Sequence, residues 1–216
     1  MQNTTSDSQS PAVVSRASQA ADRRTARQRQ SAADEVERLL AVTLDLIEKS
    51  APAIPSVSAI VAAAGISNQT LYRSFPSKDD LILAVLEQGT DRVASNLKER
   101  MAGVDDPQEK ILVWTRGVLR QVSDTGAAQI SRSVLEHLHK AGSSSQNGSQ
   151  EELLRPITAL LVEPLVSLGC NADLDGPCIA DLVLGAMRRH LWSSTAPTRD
   201  EIEWIGRFAL GGLHVQ

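Results

Sequence analysis

Five hydrogen-bonding side chains crowd into six consecutive positions: Asn68, Gln69, Thr70, Tyr72 and Arg73. Asn, Gln and Arg match the donor and acceptor patterns that base edges present in the major groove of duplex DNA. Leu71 interrupts the run and Phe75 follows four positions later. In a helix those two share an inner side and leave the polar groups outside. Ser56 and Ser67 stand where two short helices would begin, with backbone N–H groups there to hold phosphate. Lys78 adds a positive charge just beyond.

Such side chains need a scaffold, and residues 56–75 supply one. Ser56 can cap a helix carrying Val57, Ile60, Val61 and Ala64 on one face. Gly65 follows, where the left-handed residue that closes a helix is easiest for glycine. Ser67 can cap a second short helix, which Pro76 ends. Val57, Ile60, Val61, Ile66, Leu71 and Phe75 would form a small core holding the second helix against the first. Helix, glycine turn and helix in about 20 residues is the layout of a DNA-binding helix-turn-helix. An ordinary αα-hairpin with a polar outer face has the same pattern, and pattern alone leaves both open.

The flanking periodicity is helical and no segment reads as a strand, so the expected fold class is all-α. Val36, Leu39, Leu40, Thr43, Leu44 and Ile47 recur at spacings of three and four. They predict a helix opened by a Ser31/Asp34 capping box and closed before Pro52. Ser77 caps a long helix from Lys78 to about Met101. Further helices are predicted over 107–124, 127–141, 151–169, 177–193 and 198–212, with Gly142–Gln150 as a loop. Pro164 should kink or interrupt its helix, whereas Pro156 is tolerable near the start of the same helix. Pro177 suits a first turn, and Thr198 with Glu201 forms a capping box.

The 216 residues are 42% hydrophobic and carry a formal net charge of −4. No apolar run approaches the roughly 18 residues of a membrane span, and the polar N-terminus shows no secretory signal. A cytoplasmic location without a membrane partner is the default. Net acidity argues mildly against a general nucleic-acid binder and says little about a protein that touches DNA with one face. Residues 1–30 are rich in Ser, Gln, Thr and Ala and are expected to be a disordered arm. Arg16, Arg23, Arg24, Arg27 and Arg29 make its second half basic against Asp22 alone. It is either a solvated tail or an arm that adds phosphate contacts. Cys170 and Cys178 form neither a disulfide framework nor a zinc site. No nucleophile–base motif, glycine-rich phosphate loop or metal spacing appears, so no enzyme activity, metal or cofactor is expected.

Ala64-Gly65-Ile66-Ser67, Thr70-Leu71-Tyr72, and Phe75 followed by Ser77-Lys78 and Leu81 resemble the DNA-binding signature of the tetracycline-repressor (TetR) family. The likeness covers roughly residues 31–90. It implies nine or so helices: a three-helix DNA-binding domain at 31–77 and a C-terminal ligand-binding and dimerisation domain at 78–216. It also implies a homodimer built largely on the last two helices. The implied function is sequence-specific binding of operator DNA, usually as a repressor. A small-molecule effector releases such a repressor by favouring its non-binding arrangement. Mapped onto this chain, the family's DNA contacts fall on Ser56, Ser58, Asn68, Gln69, Thr70, Tyr72, Arg73 and Lys78. Gln69 stands where Gly is frequent, Ser74 where His is, and Ala59-Ile60-Val61 where an acid, Ile and Ala are. The first two bear on sequence preference and one phosphate contact; the fold is untouched.

Trp114, His137, Met187, His190 and Trp192 are candidate lining residues for a ligand site, and each could equally serve in a core or a dimer interface. His137 and His139 lie two apart, on different helix faces, a poor metal pair. The last two helices carry wide apolar stripes, and Gly206, Gly211 and Gly212 would permit close approach. Those stripes either meet a second copy or complete a monomer's core. Residues alone keep two other readings open: a helical adaptor whose hairpin binds protein, and an enzyme-like small-molecule-binding protein using Cys170, Cys178 or the histidines.

Overall fold

The computed structural model describes residues 16–140 and 146–213. Those residues form ten α-helices and one 3-10 turn, with no strand among them. They fall into two compact units divided between Leu39 and Leu40.

Helix α1 runs Arg16–Ser50, well ahead of the start predicted at Ser31. Residues 16–30 are Ala, Arg, Gln, Ser and Thr around Asp22, with no Gly or Pro. Ala, Arg and Gln rank among the better helix formers, so helix extends through them without an apolar face. The expected disordered arm is corrected for Arg16–Gln30, and residues 1–15 lie outside the described residues. Ser31 sits inside the helix, and the Asp34 carboxylate accepts from Gln30 Nε2 at 2.8 Å instead of joining a cap. At the other end the Ser50 hydroxyl donates to Leu46 O at 2.7 Å and Ala53 O at 2.9 Å, just before Pro52.

Three helices follow: α2 (Val57–Ala64), α3 (Asn68–Ser74) and α4 (Lys78–Ala102). Beyond them lie α5 (Pro107–Arg120), α6 (Thr125–Lys140) and α7 (Gln146–Thr158). A 3-10 turn (Ala159–Leu161) leads to α8 (Val162–Ser167), then α9 (Ala172–Ser193) and α10 (Arg199–Gly211).

Several boundaries move for local reasons. α5 stops at Arg120, and Asp124 Oδ1 accepts from Gly126 N at 2.9 Å and Ala127 N at 3.2 Å to open α6. α7 starts at Gln146, inside the predicted loop, which places Pro156 late in its helix. Pro164 splits the predicted single helix: it lacks an N–H and its ring presses on the carbonyl four residues back. The chain tightens into the 3-10 turn just ahead of it. α9 begins at Ala172 because the Asn171 side chain accepts from Asp173 N at 3.1 Å, so Pro177 lies inside α9. Thr198 caps α10 as expected, accepting from Glu201 N at 3.1 Å.

The main core joins α4, α5, α7, α8, α9 and α10. It contains Leu97, Met101, Ile111, Trp114, Val118, Ile157, Leu165, Val183 and Ile205. α5 packs tightly on α4 and α10. A Cβ on Gly117 would lie 2.1 Å from Leu97 Cδ2, and one on Gly206 would lie 2.6 Å from Leu112 Cδ2. Gly206 therefore serves packing within the protomer, not the approach of a partner. Arg116 on α5 reaches Glu203 on α10 at 2.9 Å and Glu109 at 2.6 Å. Its guanidinium holds the Glu203 carboxyl below the usual range. Among the described residues no helix is long and apolar enough to cross a membrane.

Candidate nucleic-acid interface

Short-range capping builds the α2–α3 unit. Ser56 Oγ accepts from Ala59 N at 3.2 Å and lies 2.9 Å from Ser58 Oγ. Gly65 takes the left-handed conformation at φ 66°. Its N–H donates to Ala62 O at 3.3 Å, and that of Ile66 to Val61 O at 3.1 Å. These two bonds form a Schellman motif, which satisfies the carbonyls left over at the end of α2. A Cβ on Gly65 would meet nothing within 4 Å, so glycine is required for conformation and not for space.

Ser67 then opens α3. Its hydroxyl accepts from Thr70 N at 3.1 Å and lies 3.0 Å from Thr70 Oγ1. Ile60 and Leu71 are fully buried. Val57, Val61, Ile66 and Phe75 are half-buried, so the expected small core has two sealed members and four at its margin. Asn68, Gln69 and Arg73 are exposed, and Tyr72 is 48% exposed despite its aromatic ring. α3 thus presents a polar outer row on one buried anchor. Thr70 is half-buried and its hydroxyl lies against Ser67. In the free chain the Ser67 and Thr70 hydroxyls, like those of Ser56 and Ser58, are hydrogen-bonded to each other.

Lys78 begins α4 and is half-buried. Ser77 caps that helix, accepting from Asp80 N at 3.1 Å and donating to Asp80 Oδ2 at 2.8 Å. A contact that sequence reasoning missed adjoins Lys78: Asp79 Oδ1 lies 2.8 Å from His137 Nε2 on α6. The pair is separated by 58 positions, and no local pattern reports such a pairing.

The five candidate ligand residues go separate ways. Trp114 is fully buried, its indole N–H donating to Ile157 O at 2.9 Å. His190 is buried at the end of α9, with Nδ1 2.8 Å from Thr195 Oγ1 and Nε2 3.1 Å from Glu201 Oε1. Glu201 also pairs with Arg189. His137 is half-buried against Asp79, and Met187 is half-buried beside Leu191 and Val122. Trp192 is 48% exposed. The side chain of His139 lies outside the described residues. Cys170 is buried, which pushes its thiol up from the ordinary range, with the Asp175 charge adding to the effect. A thiol held in that form is a poor nucleophile.

An exposed aromatic pair marks α10. Trp204 and Phe208 stack with ring centroids 5.2 Å apart, 56% and 59% exposed. Beside them Leu182, Gly185, Ala186 and Arg189 of α9 and Glu201 and Ile205 of α10 line a groove.

Residues 39–85 match the profile of the bacterial regulatory proteins of the tetR family. Two uncharacterised HTH-type transcriptional regulators of Mycobacterium tuberculosis, from strains CDC 1551 / Oshkosh and H37Rv, are each 35% identical over 103 residues. That alignment takes in 48% of this chain and 50% of each relative, so the chain spans about half the length of the curated relatives it matches. The fold is similar to that of RolR, solved with resorcinol, at a TM-score of 0.62 and 18% identity over 87% of this chain and 91% of that one. It is also similar to the fold of FadR from Bacillus subtilis, solved with stearoyl-CoA, at 0.58 and 16% over 82% and 99%. The match at residues 39–85 contains α2 and α3, so the likeness to the tetR family of bacterial regulatory proteins falls on the helix-turn-helix.

Proposed function

We propose that this protein is a homodimeric regulator that reads operator DNA with α3, represses by occluding a promoter, and is released by a small-molecule effector. One observation carries the DNA-binding part: Asn68, Gln69, Tyr72 and Arg73 form an exposed row on a helix fixed by Leu71 and the Ser67 cap. Asn, Gln and Arg are the residues that pair with base edges in the major groove, and the Tyr72 hydroxyl can hydrogen-bond beside them. Ser56, Ser58, Ser67, Thr70 and Lys78 complete the contact set, their hydroxyls and ammonium turning to phosphates on binding. In this reading 31–77 is the DNA-binding domain and 78–216 the effector and dimer domain. The packing of α4 against the main core supports that division.

A second copy would cover the Trp204–Phe208 stack and the groove beside it. A stacked aromatic pair this exposed is the kind of apolar patch that marks an interface. RolR and FadR hold ligands as different as resorcinol and stearoyl-CoA, which supports a small-molecule effector here and leaves its chemistry open. Of the candidate lining residues, His137 and Met187 are half-buried and Trp192 is exposed, so these three keep access. A cytoplasmic location goes with this reading.

The test is a gel shift on the DNA upstream of the protein's own gene, at two salt concentrations, with sedimentation alongside. Wild type should give a specific shift that weakens with salt and runs as a dimer. Tyr72→Ala and Arg73→Ala should each weaken it by about tenfold or more, as expected for a lost contact of 1–3 kcal/mol. Unchanged affinity in both variants sinks the assignment of α3 as the reading helix. A monomer at micromolar concentration sinks the dimer.

A further inference from the structure

The basic half of α1 lies outside the helix-turn-helix. Arg16, Arg23, Arg24, Arg27 and Arg29 stand against Asp22 as the single acid between Arg16 and Ala33. Arg23 and Arg27 are four apart and Arg24 and Arg27 three apart, so one helix face holds all three. They share one patch of surface with Gln28 and Ser31. All three are exposed, and among the described residues none has a carboxylate within ion-pair distance. Asp22 is turned roughly 100° from Arg23 around the axis. Like charges at these spacings repel and destabilise the helix; a polyanion laid along the face removes that repulsion.

The rest of the segment distinguishes between polyanions. Arg16–Ala33 contains no Val, Leu, Ile, Met or aromatic residue, so it has no apolar face to sink into a lipid headgroup layer. Duplex DNA demands none, because guanidinium groups grip phosphates in bidentate fashion. We propose that the Arg23–Arg24–Arg27 face of α1 is a second DNA contact, made to phosphates alone, which adds affinity without selecting sequence. The proposal rests on the DNA-binding reading above and separates holding the duplex from reading it.

The experiment titrates full-length protein over a salt series onto two duplexes, the upstream fragment and a scrambled one of equal length. It compares wild type, the triple variant Arg23→Ala/Arg24→Ala/Arg27→Ala, the matching triple with lysine, and Tyr72→Ala. Alanine keeps helix propensity, so α1 should persist. The alanine triple should weaken both duplexes by the same factor. Its slope of log affinity against log salt should fall by about 2–3 for each protomer on the duplex, and so by about 5 for a dimer, since each neutralised phosphate contributes about 0.9. The lysine triple should keep the wild-type slope, and Tyr72→Ala should lose preference for the upstream fragment only. A wild-type slope in the alanine triple overturns the proposal whatever Tyr72→Ala does. Equal wild-type affinity for the two duplexes overturns sequence reading by α3, while the scrambled duplex still decides the arginine face. If the alanine triple loses binding to phosphatidylserine vesicles and none to duplexes, the face belongs to a membrane and the proposal fails. Wild type that binds neither duplex overturns both.

Discussion

α3 and α5 are both helices anchored on one side, yet different forces hold them. α3 has one buried residue, Leu71, and is positioned by backbone geometry on its flanks: the left-handed Gly65 and the Ser67 cap. α5 buries Ile111, Trp114, Thr115, Gly117, Val118 and Leu119 and is tied to distant segments through Trp114 and Arg116. Gly65 and Gly117 condense the contrast. At Gly65 the backbone is left-handed and the space around it open; at Gly117 the backbone is helical and the space is taken by Leu97. A helix that must keep its polar row exposed cannot be fixed by burying it. Caps fix its position without covering it, whereas a core helix is fixed by whatever lies against it.

Trp114→Ala should sharpen that contrast most. It removes a fully buried indole and leaves Ile157 O without its donor. Urea unfolding should show a loss of about 3–5 kcal/mol; a loss below about 1 kcal/mol would mean that α5 is not the centre of the core. Next come the glycines. Gly117→Ala should cost about 1–3 kcal/mol through overpacking against Leu97, and Gly117→Asn more. Gly65→Ala should cost about 1–2 kcal/mol through backbone strain, and Gly65→Asn should recover much of that, since Asn visits the left-handed region. If Asn is no better than Ala at position 65, or equally tolerated at 117, the distinction between conformation and space collapses.

The smallest effect concerns pH. Arg116 holds the folded-state Glu203 carboxyl below its ordinary value of 4.5, so the pair adds stability above that value and loses it as pH falls through the folded one. Both partners are partly solvated, which limits the pair to about 1 kcal/mol or less. Glu203→Gln should therefore be slightly less stable than wild type at pH 7, with the difference closing below about pH 4.5. A difference that stays constant across that range would assign the effect to packing.

The same contrast explains what could be read from sequence. The α2–α3 unit was legible almost to the residue, because Ser56, Gly65, Ser67, Ser77 and Pro76 act within a few positions of themselves. The start of α1 was misread because apolar periodicity reports buried helix only, and residues 16–30 form helix on propensity with no apolar stripe in their sequence. The start of α9 was carried by Asn171, a cap eclipsed by the more conspicuous Pro177. The roles of Trp114, His190 and Gly206 were illegible for another reason: each depends on a partner from a different helix, Ile157, Glu201 and Leu112. Periodicity shows that a residue faces inward and never says against what.

The hydrogen bond between Asp79 and His137 alters how the chain is connected. Followed along the chain alone, the route from α6 to α3 runs back through α5 and the whole length of α4. This one bond enters α4 in its first turn, and only Phe75 to Lys78 then separate Asp79 from the end of α3. The short path bypasses Trp114 and the rigid packing around it. The distance between the α6 surface and the polar row of α3 is therefore a matter of cross-chain contacts, this imidazole's among them, more than of length along the chain.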